Sequence, residues 1–226
     1  MSVQIAIDGP SGAGKSTMAK MLSKELGFLY LDTGAMYRSF ALYAIKKGVK
    51  IEGWSEDAPE LIGLLDSFSL DIQYIDDVQH MIVNGEDYTG EIRTPEVSLG
   101  ASKVSAVPAV RLKLVEIQRE IASRQNVVMD GRDIGSYVLP NATLKIFLCA
   151  SVEDRARRRY EELKLKGDKD STYEEVLADM KLRDENDSKR SFAPLVCTED
   201  AVRLDTTGNE IEETIAIIKN IVAERI

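Results

Sequence analysis

Five short apolar runs punctuate the chain, at residues 3–7, 28–31, 127–129, 144–148 and 201–204. Most are continuously apolar rather than alternating, as strands buried on both faces of a parallel sheet read. Between them, apolar positions recur at helical spacing. Met18, Leu22 and Leu26 form a stripe that ends at Gly27, a natural helix stop. Val110, Leu114, Ile117 and Ile121 predict a second stripe, and Ile211, Ile215, Ile218 and Val222 a last one after Asn209. Ser151 with Asp154 predicts a helix cap, and Thr172 with Glu175 a capping box. Thr94-Pro95 reads as N-cap and first helical residue. This alternation predicts an open α/β sheet with right-handed crossovers.

One stretch has a different period. Phe68, Leu70, Ile72 and Tyr74 alternate with polar residues, as a half-exposed antiparallel strand does. A second such run covers 78–83, between turn signals at Asp76-Asp77 and Asn84-Gly85. Residues 40–93 therefore read as a small antiparallel α+β insert on the edge of the core.

Composition narrows the picture. The 226 residues, 44% hydrophobic and 30% charged, suit one domain with embellishments. A formal charge of −9 repels a bulk polyanion, so no nucleic-acid partner is expected. The two cysteines lack metal-ligand spacing. Cys149 ends an apolar run and reads as a buried thiol, and a reducing cytoplasm is the expected location. The first strand begins at the third residue, so no leader peptide is expected, and no apolar run approaches the ~18 residues needed to span a bilayer.

The candidate chemistry begins where the first run ends. Gly9, Pro10, Ser11, Gly12, Ala13, Gly14, Lys15, Ser16 and Thr17 spell GPSGAGKST between a strand and a helix, the context of a phosphate-binding P-loop. Its glycines let consecutive N–H groups converge on an anion, and the helix that follows adds its positive end. Lys15 is placed for the β- and γ-phosphates, Ser16 for Mg²⁺ and Thr17 for a further phosphate contact. The ligand class is a nucleoside triphosphate with its magnesium ion.

Arginine carries the next signal. Arg38, Arg111, Arg132, Arg155, Arg157, Arg158, Arg159, Arg183 and Arg190 lie mostly beside candidate strand ends or in one helix–loop–helix. Their planar forks suit phosphate oxygens, although Glu161 and Glu162 offer ion pairs to the 155–159 set. Asp130-Gly-Arg-Asp133 follows a strand, where parallel sheets open toward ligand. Asp130 is a candidate outer-shell partner of Mg²⁺; Asp133 reads as an acceptor for a base or sugar group, or as a cap of the next turn. His80, the only histidine, lies in the insert, and the lack of a histidine base favours an acceptor that is already ionised, such as a phosphate. No Asn-Lys-x-Asp tetrad reads guanine, and Asp205-Thr-Thr-Gly208 reads as a loop bordering the nucleoside rather than a GTPase switch. A nucleotide-driven switch and a kinase for UMP, AMP or shikimate are the rival readings.

Taken in order, GPSGAGKST, LDTGAMYR (31–38), ASKVSAVPAVR (101–111), DGRDIGSYVLPNA (130–142), the arginine-rich 155–159 segment and RDENDSKRSFAPL (183–195) resemble the bacterial cytidylate kinase family over essentially the whole chain. The resemblance implies a P-loop NTPase-type three-layer α/β/α fold with a five-stranded parallel sheet, the small antiparallel α+β insert at 40–93 and a short lid at 155–172, within a single domain over 1–226. It implies transfer of the ATP γ-phosphate to CMP or dCMP with Mg²⁺, by a cytoplasmic monomer with no membrane or nucleic-acid partner. Thr33, Arg38, Arg132 and Arg190 would then hold the acceptor phosphate, with Tyr37 near its sugar. Ser102, Arg111 and Asp133 would read the cytosine edge, and Arg183 and Asp187 would reach the ribose. Arg158 would close over the phosphates from the lid. Lys15, Arg132, Arg158 and Arg190 would be the catalytic set. Ser136 and Tyr137 depart from the Thr and small apolar residue expected at those places, and Thr33 keeps the hydroxyl of a commoner Ser.

Overall fold

The computed structural model describes residues 2–50, 54, 58–76 and 78–226, which form two compact units. The first takes the chain up to Tyr30 and then Gln125–Ile226; the second is Leu31–Arg124, wider than the 40–93 insert expected.

The first unit holds the parallel sheet. Its strands are β1 (Gln4–Asp8), β2 (Leu29–Asp32, where the chain passes into the second unit), β6 (Val127–Gly131), β7 (Leu144–Cys149) and β8 (Val202–Asp205), in the order β2-β6-β1-β7-β8. β1 pairs with β6 from Gln4↔Val127 to Asp8↔Gly131, and with β7 from Ile5↔Leu144 to Asp8↔Phe147. Leu29 N–H donates to the Asn126 carbonyl at 3.0 Å, so the chain leaves and re-enters this unit at one place. Ile5, Ile7, Val128, Leu144, Ile146 and Leu148 turn to one face of the sheet. There they bury against Met18, Ala19 and Leu22 of helix α1 (Lys15–Leu26) and Ile215, Ile218 and Val222 of α8 (Ile211–Arg225). A fully buried Leu or Ile of this kind contributes roughly 1.5–3 kcal/mol. α1 stops at Gly27, whose φ is 66°. Helices α6 (Val152–Leu165) and α7 (Tyr173–Lys189) complete the unit, started by the Ser151 cap and the Thr172/Glu175 capping box.

Cys149 corrects one expectation. Along β7 it shares a face with Lys145 and Phe147, opposite the Ile146 and Leu148 core face, and it is half-buried rather than buried. Its sulfur accepts from Arg203 Nε at 3.5 Å.

The second unit contains α2 (Thr33–Lys46), the single turn α3 (Pro59–Ile62), α4 (Pro95–Val104), α5 (Pro108–Arg124) and an antiparallel sheet β3-β4-β5 (Leu70–Ile75, Val78–Val83, Glu86–Asp87). Thr94 caps α4 by accepting from Val97 N–H at 3.2 Å. Asn84 and Gly85, with φ of 50° and 86°, make the two-residue turn and lead into β5, a strand too short to read from sequence. Of the other expected turn, Asp76 has φ 51°, and Asp77 lies outside the described residues. Phe40 and Phe68 pack edge to face, and Tyr43 meets both rings at a tilt. The buried stripe of α5 is rotated from the predicted one: Val110 and Leu114 are joined by Arg111, Val115, Gln118 and Ala122, not by Ile117 and Ile121. Arg111, 1% exposed, occupies one of these places: it lies over the Tyr37 ring and donates from Nε to the Ser105 carbonyl at 3.1 Å.

Candidate active site

The P-loop follows β1 as expected. Gly9 has φ 146°, and a Cβ there would stand 2.0 Å from the Leu148 carbonyl oxygen, so only glycine lets the loop leave the sheet at this point. Gly14, at φ 83°, caps α1 with no side-chain hydrogen bond, which leaves the first N–H groups of the helix to an incoming anion. Arg155 secures the loop. Its Nη1 donates to the Ser11 carbonyl at 2.8 Å, its Nε to the Ala150 carbonyl at 3.0 Å, and its Nη2 to Asp184 at 2.6 Å. At 4% exposure Arg155 is a fixed strut, not a free lid arginine.

Lys15 is buried, and its Nζ donates to the Pro10 carbonyl at 2.6 Å. Burial, and then repulsion by Arg132, pull its ammonium down to about 7, against the pull of Asp130, Asp187 and Asp8. Ser16 Oγ donates to Asp130 at 2.7 Å, and Tyr30 OH donates to the other carboxylate oxygen at 2.9 Å. A hydroxyl and a nearby carboxylate are the hard oxygen donors that suit Mg²⁺, which takes its other ligands from water and substrate phosphates. Among the described residues no cluster of three or more His, Cys, Asp or Glu stands ready to hold a metal.

Arg132, Arg190 and Asp187 come together in the first unit. Arg132 Nε donates to one Asp187 oxygen at 2.8 Å and Arg190 Nη2 to the other. Burial pushes the Asp187 carboxyl up, but Arg132 and Arg190 outweigh it and hold the group below the usual carboxylate range. Asp187 therefore orients two arginines. Arg183, one helical turn before Asp187 on α7, pairs with Asp179 at 3.0 Å. Asp133 is buried and makes no cap bond to the turn it precedes. Tyr137 meets the Phe192 ring at 4.9 Å, which explains why an aromatic stands there. Ser136 Oγ is buried without a partner among the described residues.

Of the lid arginines, Arg158 donates from Nη2 to the Thr206 carbonyl and pairs with Asp154, both at 2.7 Å. Arg157 also pairs with Asp154, and Arg159 alone uses Glu162. An open groove of about 640 Å³ lies here, lined by Ser151, Asp154, Arg157, Tyr160, Thr207 and Gly208. Asp205 accepts from Thr207 N–H at 2.9 Å, so the Asp205–Gly208 stretch is a side-chain-stabilised loop.

In the second unit, Asp32 caps α2 by accepting from Ala35 N–H at 2.8 Å and pairs with Arg38 at 3.0 Å. Gly34 makes room for this pair: a Cβ there would lie 3.0 Å from Arg38 Nη1. Arg38 Nε is buried and has no partner among the described residues. Thr33 is buried at the start of the same helix, Tyr37 stacks on Arg111, and the Ser102 carbonyl accepts from Ser105 Oγ at 2.7 Å. His80 bonds to Asp87 at 2.8 Å within the three-stranded sheet, as an ordinary strand residue. Sequence reasoning missed Asp32, Arg155 as a strut, and Asp8, whose buried carboxylate accepts from Ile134 and Gly135 N–H. Each acid closes or follows an apolar run, and that position was the available signal.

A family model described as cytidylate kinase matches residues 5–224. A cytidylate kinase from Caldicellulosiruptor bescii is 48% identical over 94% of this chain and 92% of its own. One from Halalkalibacterium halodurans is 49% identical over 99% of each chain. Among solved structures, an uncharacterized protein from Eubacterium ventriosum shares the fold at a TM-score of 0.55 with 12% identity, covering 99% of this chain and 100% of that one.

Proposed function

Because this chain belongs to the cytidylate kinase family, we propose that it transfers the γ-phosphate of ATP to CMP or dCMP, giving CDP or dCDP and ADP. An oxygen of the acceptor phosphate attacks the γ-phosphorus in line. The new P–O bond forms as the bond to the β-phosphate bridging oxygen breaks, and ADP leaves with that electron pair. The observation that carries this reading is geometric: within one unit, the P-loop leaves the start of α1 without a side-chain cap, and Arg132 and Arg190 are held together by Asp187, so cationic donors stand ready for phosphate groups.

Each residue then has a task. The amides of the P-loop, Gly9 to Thr17, cradle the ATP phosphates, and Lys15 stabilises charge on the β- and γ-oxygens. Mg²⁺, bound through Ser16 with Asp130 behind it, would draw charge from the same oxygens. Thr33, Arg38, Arg132 and Arg190 hold the acceptor phosphate; Tyr37, Arg183 and Asp187 serve its sugar. Asp133 accepts from the cytosine amino group while Arg111 donates to its carbonyl and Ser102 assists, so uracil leaves polar groups unpaired. Arg158 closes from the 155–172 lid, and closure keeps water from the γ-phosphate. The groove beside Thr207 and Gly208 takes the base of ATP. The 40–93 insert flanks the acceptor.

A coupled assay of ADP release across CMP, dCMP, UMP, AMP and shikimate tests the reading. CMP and dCMP are expected to give the highest kcat/KM. A higher value for any other acceptor overturns the substrate assignment.

A further inference from the structure

β1 ends in an acid sheltered from solvent that phosphoryl transfer, as derived above, does not use. Asp8 is 5% exposed, and its two oxygens accept from Ile134 N–H at 2.8 Å and Gly135 N–H at 2.7 Å. These amides open the turn that directly follows Arg132 and Asp133. A buried amide needs a partner, and the start of a helical turn offers none from its own backbone. One carboxylate supplies both, with two charge-assisted bonds that fix position and orientation. Close packing confirms the fit: a Cβ on Gly135 would lie 3.3 Å from Asp8 Oδ2 and 3.0 Å from the Lys145 stem.

We propose that Asp8 is a positioning residue for the acceptor site: its ionised carboxylate ties the turn at 134–135 to the end of β1 and so sets where Arg132 and Asp133 stand. This rests on the reading of those two residues as acceptor ligands. Arg132 is fixed from its far side by Asp187, so the segment between the two carboxylates is defined at both ends.

The charged surroundings make the tie sensitive to pH. Burial pushes the Asp8 carboxyl up to about 6, in spite of its two amide bonds. Asp133 pushes the same way and Lys15 opposes. From the other elements, the Cys197 thiol lies within electrostatic range, and the Lys145 ammonium is committed to Asp200 at 2.6 Å. A protonated Asp8, or an asparagine, keeps one acceptor for two donors.

Two measurements decide the matter. In two-dimensional NMR, the Ile134 and Gly135 amide signals of the wild-type protein are expected to move together as Asp8 protonates, with a midpoint near 6, and to lose that shared transition in Asp8→Asn; amide positions that are identical in wild type and Asp8→Asn overturn the proposal. In Asp8→Asn, the KM for CMP is expected to rise about ten-fold, the weight of one lost charge-assisted bond, and to rise more than the KM for ATP. The CMP phosphate itself ionises near 6, so the wild-type KM profile should carry one acid-side component more than that of Asp8→Asn. An unchanged CMP KM, or an equal rise in both KM values, overturns the proposal. Arg132→Ala, measured alongside, separates the two readings. An unchanged CMP KM there removes Arg132 from the acceptor site; a raised one there with none in Asp8→Asn overturns the role of Asp8 alone.

Discussion

Arg155 donates to the Asp184 carboxylate at 2.6 Å, joining α6 to α7, while the same guanidinium holds the Ser11 carbonyl of the P-loop. The P-loop is thus braced from outside by a residue that resembles one more phosphate ligand in sequence. Arg155→Met should cost roughly 2–4 kcal/mol of stability, as loss of one partner of a largely buried pair does. It should also raise the KM for ATP more than that for CMP. Calorimetry and steady-state kinetics check both, and a Tm and ATP KM equal to wild type would refute the brace.

Lys15→Met should lower kcat at least about 100-fold, the usual consequence of losing a main charge stabiliser of the transition state. The fold should survive, because the lysine's lowered value means that the native state disfavours its charge. The unfolded chain binds the extra proton between about 7 and 10.5, so wild-type stability gains on that of Lys15→Met as pH rises through this window. Denaturant melts at several pH values test the sign; a difference that widens against wild type with rising pH would contradict it.

Asp133→Ala should relax discrimination between CMP and UMP by about 10- to 100-fold, because a buried acceptor for the cytosine amino group is lost. The ratio of kcat/KM values for the two nucleotides is the readout, and an unaltered ratio would remove Asp133 from base selection.

Gly9 and Gly14 both have positive φ, yet their substitutions should differ. Gly9→Ala forces a methyl against the Leu148 carbonyl, at 2.0 Å, and should cost about 3 kcal/mol or more. Gly14→Ala meets no atom within 4 Å, so only backbone strain of about 1 kcal/mol remains. Comparable melting temperatures for the two variants would show that the loop can shift away from the sheet.

β1 and β6 were legible because parallel strands buried on both faces need nearly unbroken apolar runs. β7 was legible in spite of Lys145, and the partly exposed β2 and β8 were legible from shorter apolar runs. Their ends were not, and the misses share a cause. The runs at 3–7, 28–31 and 201–204 correspond to Gln4–Asp8, Leu29–Asp32 and Val202–Asp205, each displaced by one residue to take in an aspartate. The run at 127–129 likewise extends through Asp130 to Gly131. A hydrophobic pattern stops at a carboxylate. The sheet does not, because its carboxyl ends meet donors: the 134–135 amides for Asp8, Ala35 N–H for Asp32, Ser16 and Tyr30 hydroxyls for Asp130, and Thr207 N–H for Asp205. The P-loop was legible as a contiguous string. The ion pairs Arg155–Asp184 and Arg132–Asp187 were not, since they join residues 29 and 55 apart that only the tertiary fold brings together.

The crossing at Leu29 and Asn126 also bears on how such a protein diversifies. Exit and re-entry share one doorway, closed by a backbone bond, so everything in Leu31–Arg124 is an excursion whose ends are already fastened. The entropy of closing a loop grows only slowly with its length. A longer, shorter or unrelated module grafted beyond Asp32, the last residue of β2, would leave the five strands their register.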